Sequence, residues 1–333
     1  MEKQNIKISV IIPVYNGGKW VAQCIENMLC QSYKNLELIV IDDGSTDDTA
    51  AIAEKYATQT GTGSGTGHTT RPGAFSETGS GTGSATHPAA QAQGGAFPTV
   101  TVTLLRQSNH GLAATRNRGI EAATGDYIHF MDVDDLLGLD YYSLMVEALA
   151  LTDADMAYGG LINEAMPLST VLFTDRLLLV APEDRIAVPS VGLSCSACRY
   201  LVRKSLLDDN NLRFEPGLLI EDMPFSLQAA YTARSIVTVP GAVYHYRRRA
   251  GSILTRRDRA FVAKRNRHLK QVRAFRSEFL REHGLQSHLI PVKKLKYEIL
   301  GFVVLSRIVF NNGVEKWYLW GLRVAKKRGS RLN

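Results

Sequence analysis

Asp132-Val133-Asp134-Asp135 places three carboxylates within four residues, directly after the apolar run Tyr127-Ile128-His129-Phe130-Met131. Like charges this close repel one another unless a cation lies between them. A hard divalent cation with oxygen ligands is one solution, and such a cation suits a substrate carrying phosphates. The alternative is a polar turn after a strand, where Asp is common. A second acidic pair, Asp42-Asp43, ends the apolar residues 36–41, and a third, Glu221-Asp222, precedes Phe225, Leu227 and Tyr231. A carboxylate of that third pair can accept a hydroxyl proton if the geometry allows, or the pair can simply open a helix. His245 offers an imidazole that Mg²⁺ or Mn²⁺ accepts. Arg247, Arg248 and Arg249 offer guanidinium groups suited to phosphate, or a solvated basic turn.

These groups need a frame. Residues 8–14 (ISVIIPV) read as a strand buried on both faces, followed by the turn Tyr15-Asn16-Gly17-Gly18. Trp20, Val21, Cys24, Ile25, Met28 and Leu29 then recur at helical spacing. The same order repeats: strand 36–41 and a helix capped by Ser45 or Thr46, strand 99–105 and a helix from Leu112, then strand 127–131. Alternating strands and helices predict an α/β fold with a mostly parallel central sheet and helices on both faces. In such sheets ligands bind beyond the carboxyl ends of the strands. Those ends carry Tyr15-Asn16, Asp42-Asp43 and Asp132-Val133-Asp134-Asp135, so three polar clusters are expected at one edge.

The bulk numbers bound the class. The 333 residues are 45% hydrophobic, enough for a sizeable core, and four cysteines do not make a disulfide framework. Cys195 and Cys198 have C-x-x-C spacing without a second pair to complete a zinc site. No signal peptide and no run of membrane-span length is expected, so the reading is cytoplasmic. Residues 58–98 hold ten Gly, nine Thr and two charged residues, and read as a disordered low-complexity insertion. The net charge of +7 is unevenly spread: residues 244–333 carry 23 Lys and Arg against 5 Asp and Glu, the rest 16 against 27. The basic end, with Trp317, Tyr318 and Trp320 beside Lys316, Arg323 and Lys326, suits the inner face of an anionic membrane. Nucleic acid is the less favoured partner.

Taken in order, Pro13-Val14-Tyr15-Asn16, Asp42-Asp43-Gly44-Ser45-Thr46-Asp47, Asn109 and Gly111 with Arg116-Asn117, and Asp132-x-Asp134-Asp135 resemble the family-2 glycosyltransferases. Glu221-Asp222 and Val243-Tyr244-His245-Tyr246-Arg247 continue the resemblance more loosely. It implies a glycosyltransferase-A fold, a nucleotide-diphosphate sugar donor with UDP-sugar favoured, and inversion at the anomeric carbon. It further implies Pro13, Tyr15, Asn16, Asp42, Asp43, Arg116 and Asp132 as nucleotide contacts, with pairing to Asp132 or Asp126 the other reading of Arg116. The metal, Mg²⁺ or Mn²⁺, falls to Asp134 first, with Asp132 and His245, and Arg247 is a further candidate for diphosphate contact. Asp222 is the expected base and Asp135 reads better as a helix cap. The catalytic domain would span 1–250, with 1–135 binding donor and 136–250 facing a glycan or lipid-linked acceptor. Residues 251–333 would form a basic helical extension.

Two other readings remain in view. A sugar-nucleotide pyrophosphorylase would carry a Gly-rich phosphate loop followed by Arg after the first strand, where this chain has Tyr15-Asn16-Gly17-Gly18-Lys19-Trp20. A degenerate transferase would act as a membrane-docked binding module, which the intact carboxylates argue against.

Overall fold

The computed structural model describes residues 5–57, 99–164, 170–189, 191, 197–247 and 255–285, and the backbone of four strands within 291–327. The low-complexity stretch 58–98 and Cys195 therefore lie outside the described residues, while Cys24, Cys30 and Cys198 are free thiols.

In chain order the elements are β1 (Ile8–Val14), α1 (Val21–Leu29), β2 (Leu36–Asp42), α2 (Thr49–Glu54), β3 (Thr101–Arg106), α3 (Leu112–Ala122), β4 (Tyr127–Phe130), β5 (Leu136–Leu137), α4 (Tyr141–Thr152), β6 (Met156–Asn163), β7 (Leu178–Leu179), α5 (Pro182–Ala187), β8 (Tyr200–Arg203), α6 (Lys204–Asp209), α7 (Asp222–Thr232), β9 (Ile236–Tyr246) and α8 (Arg259–Glu282). The first nine strands form one sheet in the order β3-β2-β1-β4-β8-β6-β9-β5, with β7 beside β9. Pairing is parallel across β3-β2-β1-β4 and between β6 and β9. β8 enters antiparallel to both β4 and β6, and β5 antiparallel to β9. The parallel character expected from the strand–helix alternation thus holds for the first half, and the second half is mixed.

β1 is buried along its whole length. Its alternate residues Ile8, Val10, Ile12 and Val14 join one core cluster with α1 and α4, whereas Ile11 joins the other with α3 and α7. This period of two is what a strand covered on both faces produces. On the second face α3 lies so close that a Cβ on Gly119 would come within 2.3 Å of Ile11 Cγ2.

The chain runs from β1 outward through β2 and β3, then returns to place β4 on the other side of β1. That reversal opens a crevice between the carboxyl ends of β1 and β4, the expected ligand position in open α/β sheets. The β1–β4 ladder ends at Ile11 and Phe130, so Pro13, which lacks an N–H, lies past the last β4 rung.

The C-terminal region departs from expectation. A helix is present, α8, capped by Asp258, whose Oδ1 accepts the Phe261 N–H at 2.9 Å. Beyond it come strands rather than helices: β10 (Pro291–Ile299), β11 (Phe302–Phe310), β12 (Glu315–Leu319) and β13 (Leu322–Lys327), forming an antiparallel sheet in sequence order. The physical reason is composition. FVVLSRIVF in β11 is rich in β-branched and aromatic residues, which favour strands over helices, and the abundance of Lys and Arg had masked that signal.

Candidate active site at the β1–β4 crevice

The loop after β1 is built by side chains reaching from the loop after β2. Asn16 adopts a left-handed backbone with φ of 50°. Its Oδ1 accepts the Thr46 N–H at 2.8 Å, and its own N–H donates to Ser45 Oγ at 2.8 Å. Asp42 Oδ1 accepts the Ser45 N–H at 3.0 Å. These contacts leave Tyr15 50% exposed at the mouth of the crevice, an aromatic face open for stacking. Pro13 is buried within the strand.

Asp43 serves the next loop. It accepts from Gln107 Nε2 at 2.7 Å and from the backbone N–H groups of His110 at 2.8 Å and Gly111 at 2.9 Å. Gly111 has φ of 86°, a conformation that favours glycine, and leads directly into α3. Asp43 therefore fixes the start of the helix that carries Arg116.

Arg116 is 4% exposed. Its Nη1 donates to Glu221 Oε1 at 2.5 Å and its Nη2 to Asp132 Oδ1 at 2.8 Å. Its guanidinium also lies 5.3 Å from the centre of the Phe214 ring. It thereby ties the end of β4 to the start of α7. The two carboxylates raise its pKa further against the opposing effect of burial.

Asp222, the first residue of α7, follows directly. Burial, then the neighbouring Glu221, pushes its carboxyl up to about 8. Burial also raises Glu221, against the lowering effect of Arg116. Two adjacent carboxyls beside one cation cannot both ionise cheaply.

Asp135 is not a helix cap, because β5 follows it and α4 begins only at Tyr141. It is 1% exposed and accepts from the Tyr244 hydroxyl at 2.7 Å and the Arg247 N–H at 2.8 Å. Burial and Asp132 push its carboxyl up to about 8. The Tyr244 oxygen in turn accepts the Asp132 N–H at 3.3 Å. Arg247 spends its Nε on the Asp134 carbonyl at 2.5 Å and Nη1 on Gln23 at 3.0 Å, over the Trp20 ring. His129, beneath this, is fully buried, and burial lowers its pKa to about 4. The neutral ring donates from Nε2 to the Cys198 carbonyl at 2.7 Å, leaving Nδ1 to accept from Tyr142.

Asp132, Asp135 and Cys198 bring ligand atoms within 4.8 Å of one another. For Mg²⁺ or Mn²⁺ this trio is a poor set, since Cys198 is a buried thiol and both Asp135 oxygens are engaged. Asp132 and Asp134 fit better as oxygen donors at the crevice. Burial, then Asp132, Asp135 and Asp134, pushes the Tyr246 hydroxyl up. His245 lies between Tyr244 and Tyr246 on β9, so strand alternation places it on the opposite face from the carboxylates. The structure does not bring it into their group.

Comparison with known proteins agrees with this architecture. The sequence model for Glycosyl transferase family 2 matches residues 9–65 and 81–203, more than half of the chain. The uncharacterized glycosyltransferase YibD of Escherichia coli is 29% identical over 249 residues, covering 69% of this chain and 60% of its own length. Glycosyltransferase GlyG of Streptococcus pneumoniae is 26% identical over 259 residues, covering 74% and 72%. The chain thus spans under two thirds of YibD and nearly three quarters of GlyG. Among solved structures, S. aureus TarS 1–349 in complex with UDP-GlcNAc has a similar fold, with TM-score 0.56 and 20% identity over 84% of this chain and 75% of that one. TarS without that ligand gives 0.53 and 22% over 72% and 60%. Sheet order, crevice and matched segments together place this chain in glycosyltransferase family 2, with a glycosyltransferase-A-type fold.

Proposed function

We propose that the protein moves a sugar from a UDP-sugar to a hydroxyl of a glycan or lipid-linked acceptor, with inversion and metal assistance. The observation that carries this is the Asp132–Arg116–Glu221 bridge. It joins the carboxylates at the end of β4 to the residue preceding Asp222, which supports a reading in which donor edge and candidate base share one crevice. TarS, solved with UDP-GlcNAc and with UDP, supports a uridine donor by its similar fold.

In this reading Tyr15 stacks on the nucleobase, and Asp42 and Asn16 hold the loop that shapes the nucleotide pocket. Asp132 and Asp134 would hold Mg²⁺ or Mn²⁺. When bound, that cation stabilises the charge developing on the departing nucleoside diphosphate. Asp222 takes the acceptor hydroxyl proton as the acceptor oxygen bonds to the anomeric carbon. The bond to the diphosphate breaks on the opposite face, and its electron pair leaves with UDP. A carboxyl whose proton affinity burial has raised is a stronger base once ionised than an exposed one.

Product analysis with a panel of UDP-, GDP- and dTDP-sugars and Mn²⁺ tests the reading. Release of UDP supports it. Pyrophosphate would point to a nucleotidyltransferase, and no turnover with any donor to a binding module. Asp222→Asn is expected to bind donor and fail to transfer; near-normal transfer would refute its role.

A further inference from the structure

Helix α8 has two contrasting faces. Phe275, Phe279 and Leu280 belong to the core cluster shared with α7, and His268 Nδ1 accepts the Leu219 N–H at 3.0 Å, three residues before Asp222. The outward face carries Arg259, Lys264, Arg267, Lys270 and Arg273, all exposed. Ala263 and Ala274 lie between them on that face, also exposed. No exposed acidic residue interrupts this face before Glu278, which lies near Arg281. At about 1.5 Å per residue the five cations span roughly 21 Å along the helix, spread over the outward half of its circumference.

We infer that this face of α8 docks the protein on an anionic lipid surface. Three features select that partner. The face has no aromatic side chain on which bases could stack. It has no apolar side chain larger than Ala to insert, so contact is electrostatic rather than insertional. Residues 1–243 carry 27 acidic against 16 basic residues, so a polyanion wrapping the body would be repelled, whereas a plane can meet the cationic face of α8 without wrapping the body. Docking there keeps the segment leading to Asp222 close to the membrane. This last consequence rests on the transferase reading; the docking itself does not.

The test is co-sedimentation of the full chain with vesicles of phosphatidylcholine, alone or mixed with phosphatidylglycerol, at about 0.1 M salt, where screening reaches only ~10 Å. Binding is expected only to the anionic vesicles and should be lost at high salt. Replacing Lys264, Arg267, Lys270 and Arg273 together by Gln, a residue of similar helix propensity, should weaken binding by about fivefold per charge removed, several-hundredfold in all. A control replaces Lys34, Lys55, Arg106 and Arg176 by Gln, removing the same charge elsewhere, and should lose about fivefold at most. Turnover on a soluble acceptor should be equal in all three proteins, which separates failure of docking from failure of the transferase reading. Absence of anionic-vesicle binding, equal loss in both variants, or tighter binding to a duplex oligonucleotide at the same salt would overturn the inference.

Discussion

Arg116→Met replaces a buried guanidinium by an apolar chain of similar length. Arg116 and the Glu221 side chain are each 4% exposed, and the Asp132 side chain is 28% exposed. The half-exposed Asp132 can recover water, but Glu221 is left charged, buried and next to Asp222. Breaking a buried pair from one side typically costs about 3–5 kcal/mol. For a domain of this size that lowers the melting temperature by on the order of 10 °C. The cost has a pH signature. The Glu221 and Asp222 carboxyls are raised in the folded protein, Asp222 to about 8. Stability linked to such groups is fully present below the ordinary carboxylate range and is lost as pH rises through the folded value. Arg116 limits that loss by favouring their charged forms. Without it the decline steepens, so the penalty of Arg116→Met should grow between about pH 5 and pH 8. Denaturant unfolding of both proteins across that range, in chelator, measures it. Adding Glu221→Gln should recover more than half of the lost stability at pH 8. A penalty under about 1 kcal/mol, the value of an exposed pair, or one independent of pH, would refute the reasoning.

Gly119→Ala should cost about 1–3 kcal/mol by overpacking, because the new methyl meets Ile11 at 2.3 Å from Cγ2 and 2.9 Å from Cγ1; thermal unfolding reads it. Asp43→Ala removes three hydrogen bonds to a carboxylate, each worth about 1.5–3 kcal/mol when charged. Amide exchange at His110 and Gly111 should accelerate well before global unfolding does. Asp135→Asn should flatten the fall in stability as pH rises toward 8, since the Asp135 carboxyl is raised to about 8 and its contribution is lost on that rise. An unchanged pH profile would show that Asp135 is not the titrating group.

The donor half was readable because its signals are local. The buried run of β1, the turn Tyr15-Asn16-Gly17-Gly18 and the acidic ends of β2 and β4 all lie within a few residues of the elements they define. The parallel pairing of the first four strands followed from general rules about strand–helix alternation. What stayed hidden depends on contacts distant in sequence. Arg116 meets Glu221 across 105 positions and Asp135 meets Tyr244 across 109, and no local pattern assigns those partners. The Glu221 partner of Arg116 therefore went unread, although pairing with Asp132 was one reading of it, and Asp135 read as a cap. His245 read as a ligand because its type suits one, but its place between Tyr244 and Tyr246 puts it on the other face of β9. In the last strands, charge abundance outweighed the β-branched signal of β11.

The central claim is that the crevice between β1 and β4 binds a nucleoside diphosphate through a metal held by the carboxylates after β4. Calorimetric titration of UDP into the protein, with Mn²⁺ and with chelator, tests it most directly when repeated on Asp134→Ala. Binding should require Mn²⁺ in the wild-type protein and disappear in the variant while its melting temperature stays near wild type. UDP affinity that is equal with and without Mn²⁺, and unchanged by Asp134→Ala, would contradict the account.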